Sequence, residues 1–277
     1  MKREQLAINS VSTRHADLVE ALDAYAGAGF RQVEFVLPHV KGWMAAGHSL
    51  DDVRRLLAER GLRCIGGFQA HVQCFGDAEA RAANLELHLA NAQLIHDLGG
   101  GTLVVGTDGP PAGAAPADSL AVLEPIAARL AELARRIEHL DVMVALEFNW
   151  SPVVKSLASA VRVAEQANHA QVGVLFDPAH YYTTPTKFED LSRRNVRWIR
   201  HVHLDDMRDK PADWSNCNDD RVLPGEGVVD VRGLIVMLER CGYTGSFSIE
   251  MFSADLWALP AAEAARRCYQ SLLPYCD

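Results

Sequence analysis

Short runs of β-branched and apolar residues alternate with longer amphipathic segments along the whole 277-residue chain. The amphipathic segments repeat their apolar residues at helical spacing, and Gly29 and Gly61, which follow two of them, suit helix C-caps. The predicted strands are residues 5–11, 32–37, 62–70, 102–107, 142–148, 172–177, 198–204 and 246–252. The predicted helices are residues 17–28, 50–60, 80–98, 116–139, 157–168, 231–241 and 260–273. This alternation is typical of α/β folds with a parallel sheet.

Eight such units without an internal Pro/Gly-rich linker predict that residues 1–277 form one domain, a single (β/α)8 barrel. Residues 172–177 are almost continuously apolar, as parallel strands buried on both faces are. A doubly wound open sheet is the alternative, but no G-x-G-x-x-G follows the first strand. Residues 109–116 and 205–229 are predicted loops, and the length of the second is typical of a lid.

Charge and hydrophobic content exclude several classes of protein. The chain has 49% hydrophobic residues and a net charge of −9, so it can bury a large core but lacks the basic surface of a nucleic-acid-binding protein. Its start offers no apolar signal segment, no run approaches the ~20 apolar residues of a bilayer span, and its six cysteines form no C-x-x-C pair. We therefore expect a cytoplasmic protein with reduced thiols that binds neither nucleic acid nor membrane. No separate interface stripe is visible, which leaves a homo-oligomer open.

Four residues with metal-binding side chains stand at the ends of four consecutive predicted strands: Glu147, Asp177, His203 and Glu250. In a barrel the carboxyl ends of the strands meet at one mouth, where three carboxylates would repel one another unless a cation lay between them. Three carboxylate oxygens and one imidazole nitrogen suit Mn²⁺, Mg²⁺, Co²⁺ or Zn²⁺. The sequence therefore predicts a divalent-metal site, although a single acidic residue at a strand end is more often a helix N-cap.

Further polar residues follow the strands or lie in the long loop. The candidates for contact with substrate oxygens are His180, Arg221, Glu34 and His71, followed by His39 and Gln69. A guanidinium fixed beside a Pro-Gly-Glu-Gly turn could hold a hydroxylate or a carbonyl. The alternative for this arginine is a salt bridge to a neighbouring acid in the loop, Asp219, Asp220 or Glu226. His201 is interpreted as a hydrogen-bonded core histidine.

The segments that carry these candidates resemble the xylose isomerase-like TIM-barrel superfamily. They are Leu-Glu147-Phe, Phe-Asp177-Pro-Ala-His180, His-Val-His203-Leu-Asp-Asp, Arg221-Val-Leu-Pro-Gly-Glu-Gly227 and Ser-Ile-Glu250-Met-Phe. The resemblance extends over nearly the whole chain and is greatest to the sugar phosphate isomerase/epimerase group. Residues 203–252 are similar to the inosose isomerases of myo-inositol catabolism, which carry a like Asp-Arg-Val-x-Pro-Gly-x-Gly turn.

The resemblance implies roles for the strand-end residues. It implies that Glu147, Asp177, His203 and Glu250 bind one divalent metal, Mn²⁺ in the first place and otherwise Zn²⁺, Co²⁺ or Mg²⁺. It also implies that Glu147 and Glu250 form the catalytic acid–base pair and that His180 and Arg221 contact substrate oxygens. One departure is Val153, which stands where ketose 3-epimerases carry a second glutamate. The deoxyribonuclease relatives use a three-metal cluster with extra histidines, which does not suit this acidic chain.

We therefore expect a metal-dependent isomerase or epimerase that acts on a small polyhydroxylated carbonyl compound, an inosose or a related keto-sugar, through an enediolate. If a leaving group lies β to the carbonyl, the same proton removal leads to elimination. The alternative is accordingly a lyase of the superfamily, such as an inosose or dehydroshikimate dehydratase or the subunit that cleaves 3-keto-C-glycosides. A non-catalytic sugar-binding barrel is the third interpretation.

Overall fold

The computed structural model describes residues 1–111 and 120–277. Its strands are β1 (Leu6–Asn9), β2 (Gln32–Val36), β3 (Arg63–Phe68), β4 (Thr102–Val105), β5 (Met143–Glu147), β6 (Val172–Phe176), β7 (Ile199–Leu204), β8 (Asp206–Met207), β9 (Arg221–Val222) and β10 (Phe247–Ile249). Eight of them form a closed barrel in the order β1-β10-β7-β6-β5-β4-β3-β2, in which every neighbouring pair is parallel. Strands β8 and β9 pair separately as an antiparallel ribbon.

Helices surround the barrel and join its strands. They are α1 (Leu18–Ala28), α2 (Leu37–Ala45), α3 (Leu50–Glu59), α4 (Ala78–Asp97), α5 (Leu123–Arg136), α6 (Leu157–Ala167), α7 (Pro178–Tyr182), α8 (Arg193–Val196), α9 (Val231–Arg240), α10 (Ala254–Trp257) and α11 (Ala261–Leu272). The N-cap of α1 is Asp17, which accepts a hydrogen bond from Glu20 N, and α1 ends at Gly29, whose φ of 114° favours glycine. The predicted (β/α)8 barrel is confirmed.

The core has an outer and an inner part. The main apolar cluster includes residues of the strands and of the outer helices, whereas Val104, Ala145 and Leu175 form a second small cluster on three neighbouring strands. Successive side chains of a strand point to opposite faces. Residues two positions apart therefore share a face, and both His201 and His203 of β7 point toward Glu34 on β2, inside the barrel. In the part of the chain that the structure describes, none of the helices has the length and apolar character of a membrane span.

Several predicted boundaries change in the structure. Strand β1 ends at Asn9, because its side chain accepts a hydrogen bond from Val11 N and begins a 3-10 helix. The predicted helix 116–139 is α5, which begins at Leu123; residues 116–119 lie outside the described residues, as does the part of the predicted loop 109–116 from residue 112 onward. The stretch 205–229 is not wholly irregular, since it contains the β8–β9 ribbon. Helix α2 follows β2 directly and was not predicted.

Candidate metal centre

Four side chains from four barrel strands converge at the mouth of the barrel. Glu147 ends β5 and His203 lies near the end of β7, while Asp177 and Glu250 directly follow β6 and β10. His203 Nδ1 is 3.2 Å from Glu250 Oε2 and 3.3 Å from Asp177 Oδ2. It is 3.5 Å from Glu147 Oε1. The structure thus brings together the four residues that the sequence predicts as metal ligands.

Three of these donor atoms are buried without a hydrogen bond. Glu147 Oε1, Asp177 Oδ2 and His203 Nδ1 have no contact with hydrogen-bond geometry among residues 1–111 and 120–277, although each lies 3.1–3.5 Å from an ionisable side chain. The four residues offer donor atoms that all lie within 4.8 Å of one another. Ligands about 2.0–2.2 Å from a divalent cation stand roughly 3.0–3.5 Å apart, close to the distances from His203. The donor set therefore fits a hard or borderline divalent cation.

The second oxygen of Asp177 has a separate role. Asp177 Oδ1 accepts a hydrogen bond of 3.0 Å from His180 N and so caps α7, while Oδ2 faces the other three donor atoms. The N-cap interpretation and the metal-ligand interpretation of this residue are therefore compatible, because they use different oxygens. The cap also fixes the orientation of the carboxylate.

The buried charges around this point are mostly negative. Five carboxylates are buried there: Glu34, Glu147, Asp177, Asp205 and Glu250. Arg221 is the only lysine or arginine that is buried among the described residues. Burial opposes ionisation of Asp177, but the charges of Arg221 and His180 outweigh burial and lower its pKa. Burial also opposes ionisation of Glu147, but the adjacent His180 imidazole outweighs burial and lowers the pKa of Glu147 to about 2.

Glu34 lies beneath His203 and not at the open mouth. It is fully buried, and Oε2 is 2.9 Å from His201 Nε2 and 3.1 Å from His203 Nε2. Burial lowers the pKa of His203, but the carboxylates of Glu250 and Glu34 raise it above its usual value. The oxygens of Glu34 are thus engaged by the two imidazoles, and its contact with substrate stays a prediction that this arrangement does not favour. His201 is a hydrogen-bonded core histidine, as interpreted from the sequence.

Arg221 has partners that the sequence did not indicate. Its guanidinium is fully buried, with Nη1 2.7 Å from Asp205 Oδ2 and 2.9 Å from Glu250 Oε2, and Nη2 3.1 Å from Asp177 Oδ2. The alternative salt bridge to a neighbouring acid in the loop is wrong, because the β8–β9 ribbon turns the side chain inward. Asp220 pairs instead with Lys210 at 2.7 Å. Contact between Arg221 and a substrate oxygen stays a prediction.

Asp205 was missed from the sequence, and its signal was its place directly after β7. Burial and the nearby Asp177 carboxylate raise the pKa of Asp205, and Arg221 offsets this only in part. The next residue, Asp206, has a different role. Its carboxylate accepts hydrogen bonds of 2.8–3.0 Å from the backbone N–H groups of Met207, Gly225, Gly227 and Val229. Asp206 thereby holds the turn after Arg221 against β8.

His180 is fully buried beside Glu147. Its Nε2 is 3.3 Å from Glu147 Oε1, and its Nδ1 is 3.2 Å from Asn149 Nδ2. Burial would lower the pKa of His180, but the Asp177 and Glu147 carboxylates raise it to about 10. Asn149 has a φ of 72°, an uncommon conformation for a residue other than glycine. The Asn149 amide and the Glu147 carboxylate thus hold opposite edges of the imidazole.

Two clefts open beside this centre. One, of about 770 Å³, is lined by His71, Asn149, Trp150 and Lys155. The His71 ring packs edge-on against the Trp150 ring at a centroid distance of 5.1 Å, and burial lowers the pKa of His71. The other cleft, of about 410 Å³, is lined by Arg221 and Phe252 among others. His71 therefore lines a cleft beside the centre, and its contact with substrate stays a prediction.

Comparison with known proteins adds to this geometry. Residues 22–272 match the family model described as xylose isomerase-like TIM barrel. The chain is 30% identical over 139 residues to an inosose isomerase of Halalkalibacterium halodurans, which covers 50% of this chain and 49% of that protein. It is 28% identical over 264 residues to a 3-dehydroshikimate dehydratase of Pseudomonas aeruginosa, which covers 92% of this chain and 39% of that protein. The chain thus spans about half the length, or less, of these curated relatives.

A crystal structure of the IolI protein with a bound zinc atom has the same fold. Its TM-score is 0.86 at 21% sequence identity, and the match covers 98% of this chain and 97% of that one. This likeness agrees with the strand order of the barrel. With most of its length matched by the family model and its strands closed into the corresponding barrel, the chain belongs to the xylose isomerase-like TIM barrel family.

Proposed function

We propose that this protein is a cytoplasmic, divalent-metal-dependent isomerase or epimerase that acts on an inosose or a related keto-sugar through an enediolate. One observation carries the proposal. Among the four converging side chains, Glu147 and Glu250 keep 5% and 9% of their surface exposed, whereas Asp177 and His203 keep 0% and 1%. Two carboxylates on the open side of the cluster are placed to exchange a proton with a bound molecule. The similarity to inosose isomerases supports the substrate class.

The cation would be held by Glu147, Asp177, His203 and Glu250, and Mn²⁺ is our first expectation. When bound, it supplies Lewis acidity toward the substrate carbonyl. His180 and Arg221 lie at the floor of the site beside these carboxylates, where they would hold oxygens of the bound substrate. His71 would contact the substrate from the cleft that it lines.

Proton transfer is the task of Glu147 and Glu250, the two ligands that keep some exposure. One of them removes the proton from the carbon next to the carbonyl. The other donates a proton to the opposite face of that carbon, which inverts it, or to the former carbonyl carbon. In the second case the hydroxyl oxygen loses its proton and becomes the new carbonyl, and the former carbonyl oxygen gains a proton. Glu147 and Glu250 therefore need no redox cofactor for either outcome.

The test is turnover in D₂O with the full chain loaded with Mn²⁺ and a panel of inososes and keto-sugars. Product should carry deuterium at the carbon beside the carbonyl, as measured by mass spectrometry and NMR. Glu147→Gln and Glu250→Gln keep the side-chain size but remove basicity, so turnover should fall by ~10²–10⁴-fold. Exchange alone does not decide the matter, because a shielded base can return the same proton. If both Gln variants retain metal and near-normal turnover, the assignment of these glutamates is wrong.

A lyase is the second candidate function. It is favoured by the dehydroshikimate dehydratase match, which covers 92% of this chain. The same glutamate would remove the proton, but loss of a β-hydroxyl group would follow in place of reprotonation, and the other glutamate would protonate the leaving oxygen. An increase in ultraviolet absorbance from a new enone would identify this reaction. An unchanged spectrum with deuterated isomer as product would exclude it for the compound tested.

A further inference from the structure

Glu34 crosses the barrel interior to reach two histidines of β7. Glu34 belongs to β2 and is fully buried, and only 2% and 1% of the surfaces of His201 and His203 are exposed to solvent. Glu34 Oε2 lies 2.9 Å from His201 Nε2, and His203 Nε2 lies 3.2 and 3.1 Å from the two oxygens of Glu34. We propose that Glu34 is a positioning residue that fixes the His203 imidazole with its proton on Nε2, and that His201 holds Glu34 in place. This inference rests on the metal centre of the proposed function.

The two nitrogens of His203 face different surroundings. Nε2 faces the oxygens of Glu34, whereas Nδ1 faces Glu250 and Asp177 at 3.2 and 3.3 Å. A neutral imidazole has one N–H, so the hydrogen bond made by one nitrogen decides what the other can do. With the proton on Nε2, Nδ1 presents a lone pair to the carboxylate cluster and can bind a cation there. With the proton on Nδ1, the lone pair would face Glu34 and the ligand would be lost.

His201 restrains both members of this pair. Its Nε2 lies within hydrogen-bond distance of Glu34 Oε2, at 2.9 Å, and this contact limits rotation of the carboxylate. Its ring also packs edge-on against the His203 ring, with centroids 5.3 Å apart and planes at 86°. The carboxylate and the second imidazole therefore hold His203 from two directions. Such outer partners are common for metal-binding histidines, and their loss typically weakens metal binding by about 10–100-fold.

A second cation is the alternative explanation, because Glu34, His201 and His203 also have the spacing of a metal site. The separations of 2.9–3.2 Å are those of N–H···O hydrogen bonds. Two N–H donors and one carboxylate satisfy one another without any further group. A cation in their midst would require both Nε2 atoms to give up their protons. The hydrogen-bonded arrangement is therefore the simpler account of this cluster.

The experiment uses the full chain and Zn²⁺, whose affinity is measured by competition with a chromogenic chelator. Glu34→Gln keeps one acceptor oxygen but removes the negative charge that holds both imidazole N–H groups, and it should weaken Zn²⁺ binding by about 10–100-fold. His201→Gln should weaken it less, since Glu34 still accepts from His203. The matched control is Ser248→Ala, which removes a fully buried hydroxyl of β10 that has no partner within the described ranges. The control should bind Zn²⁺ like the wild type, and circular dichroism should show that all three variants are folded.

A spectroscopic measurement on the wild type reports which nitrogen of His203 carries the proton, and a purely structural role of Glu34 would not determine that position. In ¹⁵N-histidine-labelled, Zn²⁺-loaded protein, His203 should show its proton on Nε2 and none on Nδ1. Wild-type affinity in a folded Glu34→Gln variant, or a proton on Nδ1, would overturn the inference and leave the metal centre intact. A second Zn²⁺ that is lost in His201→Gln would also overturn it. Failure of the wild type to bind Zn²⁺ would overturn the metal centre itself, and this inference with it. If Glu34→Gln does not fold, the His203 proton position decides.

Discussion

The two halves of the barrel rim have different chemistry. Strands β5, β6, β7 and β10 end in, or are directly followed by, ionisable side chains that face one point, whereas β1 ends at Asn9, β3 at Phe68 and β4 at Val105. The second half contributes supports. Asn9 Nδ2 donates to Glu250 Oε1 at 3.0 Å, and Glu34 on β2 accepts from His203. One half thus supplies candidate ligands, and the other holds two of them in orientation.

This difference follows from electrostatics. Carboxylates packed at one point repel one another, so the half that supplies them needs counter-charges and fixed geometry. Arg221 supplies a charge from within the same half, because it reaches Asp177, Asp205 and Glu250 together. The opposite half supplies an amide and a carboxylate that orient without adding a ligand. A loss on the ligand half should therefore affect metal content and stability more than a loss on the supporting half.

The largest effect is expected when two ligands are removed. Asp177→Ala combined with His203→Ala leaves two carboxylates, which are too few to hold a divalent cation firmly at this site. Metal content of the purified protein, measured by elemental analysis, should fall to background. Asp255→Ala, which removes an exposed carboxylate beside the mouth, is the control and should keep the wild-type content. Full metal occupancy in the double variant would show that the cation lies elsewhere.

Loss of the counter-charge should have the next largest effect. Arg221→Ala leaves Asp205, Asp177 and Glu250 without their shared cation, and breaking a buried ion pair in this way costs about 3–5 kcal/mol of unfolding free energy. Urea denaturation of the protein in the presence of a metal chelator measures the cost. The control, Arg266→Ala, removes an exposed pairing with Glu263 and should have a much smaller effect, because surface ion pairs contribute little. Equal midpoints for the two variants would contradict the role assigned to Arg221.

The ligand half of this comparison could be predicted from the sequence, and the reason is geometric. The ends of parallel barrel strands meet, so an acid or a histidine at each of four strand ends indicates one site without knowledge of side-chain contacts. The eight strands themselves were visible as apolar runs. Errors were concentrated where local hydrogen bonds compete with the strand, as at Asn9, whose oxygen accepts from Val11 N and ends β1.

The supporting half could not be predicted in the same way. Glu34 and His203 are 169 positions apart, and Asn9 and Glu250 are 241 apart, so nothing local pairs them. Glu34 was consequently interpreted as a substrate contact. The same limit applies to Arg221, whose near neighbours in sequence are acidic but whose partners come from other strands. The sequence also gives no sign that Asp205 pairs with the Arg221 side chain, whereas Asp206 accepts hydrogen bonds from backbone N–H groups.

The smallest effect is expected from Asn9, and it tests whether the supporting half acts on chemistry as well as on folding. Asn9→Ala removes the hydrogen bond to Glu250 Oε1. Hydrogen bonds to charged groups contribute about 1.5–3 kcal/mol to stability, and loss of the lower value from the transition state corresponds to a fall in kcat/KM of about tenfold. Metal content should stay unchanged, because Glu250 Oε2 keeps its place beside His203.

The control for Asn9 is Gln5→Ala, because Gln5 Nε2 ties the start of β1 to Gly245 O before β10 at 2.8 Å, at the opposite end of the barrel. Both variants lose an amide contact between the same two strands, but Asn9→Ala also loses the hydrogen bond from Val11 N and should lower the urea midpoint more. Asn9→Ala should lower kcat/KM in addition, measured on whichever compound of the panel proves to be turned over. If both variants lower kcat/KM equally, Asn9 acts through stability alone, and the supporting half orients ligands only through Glu34.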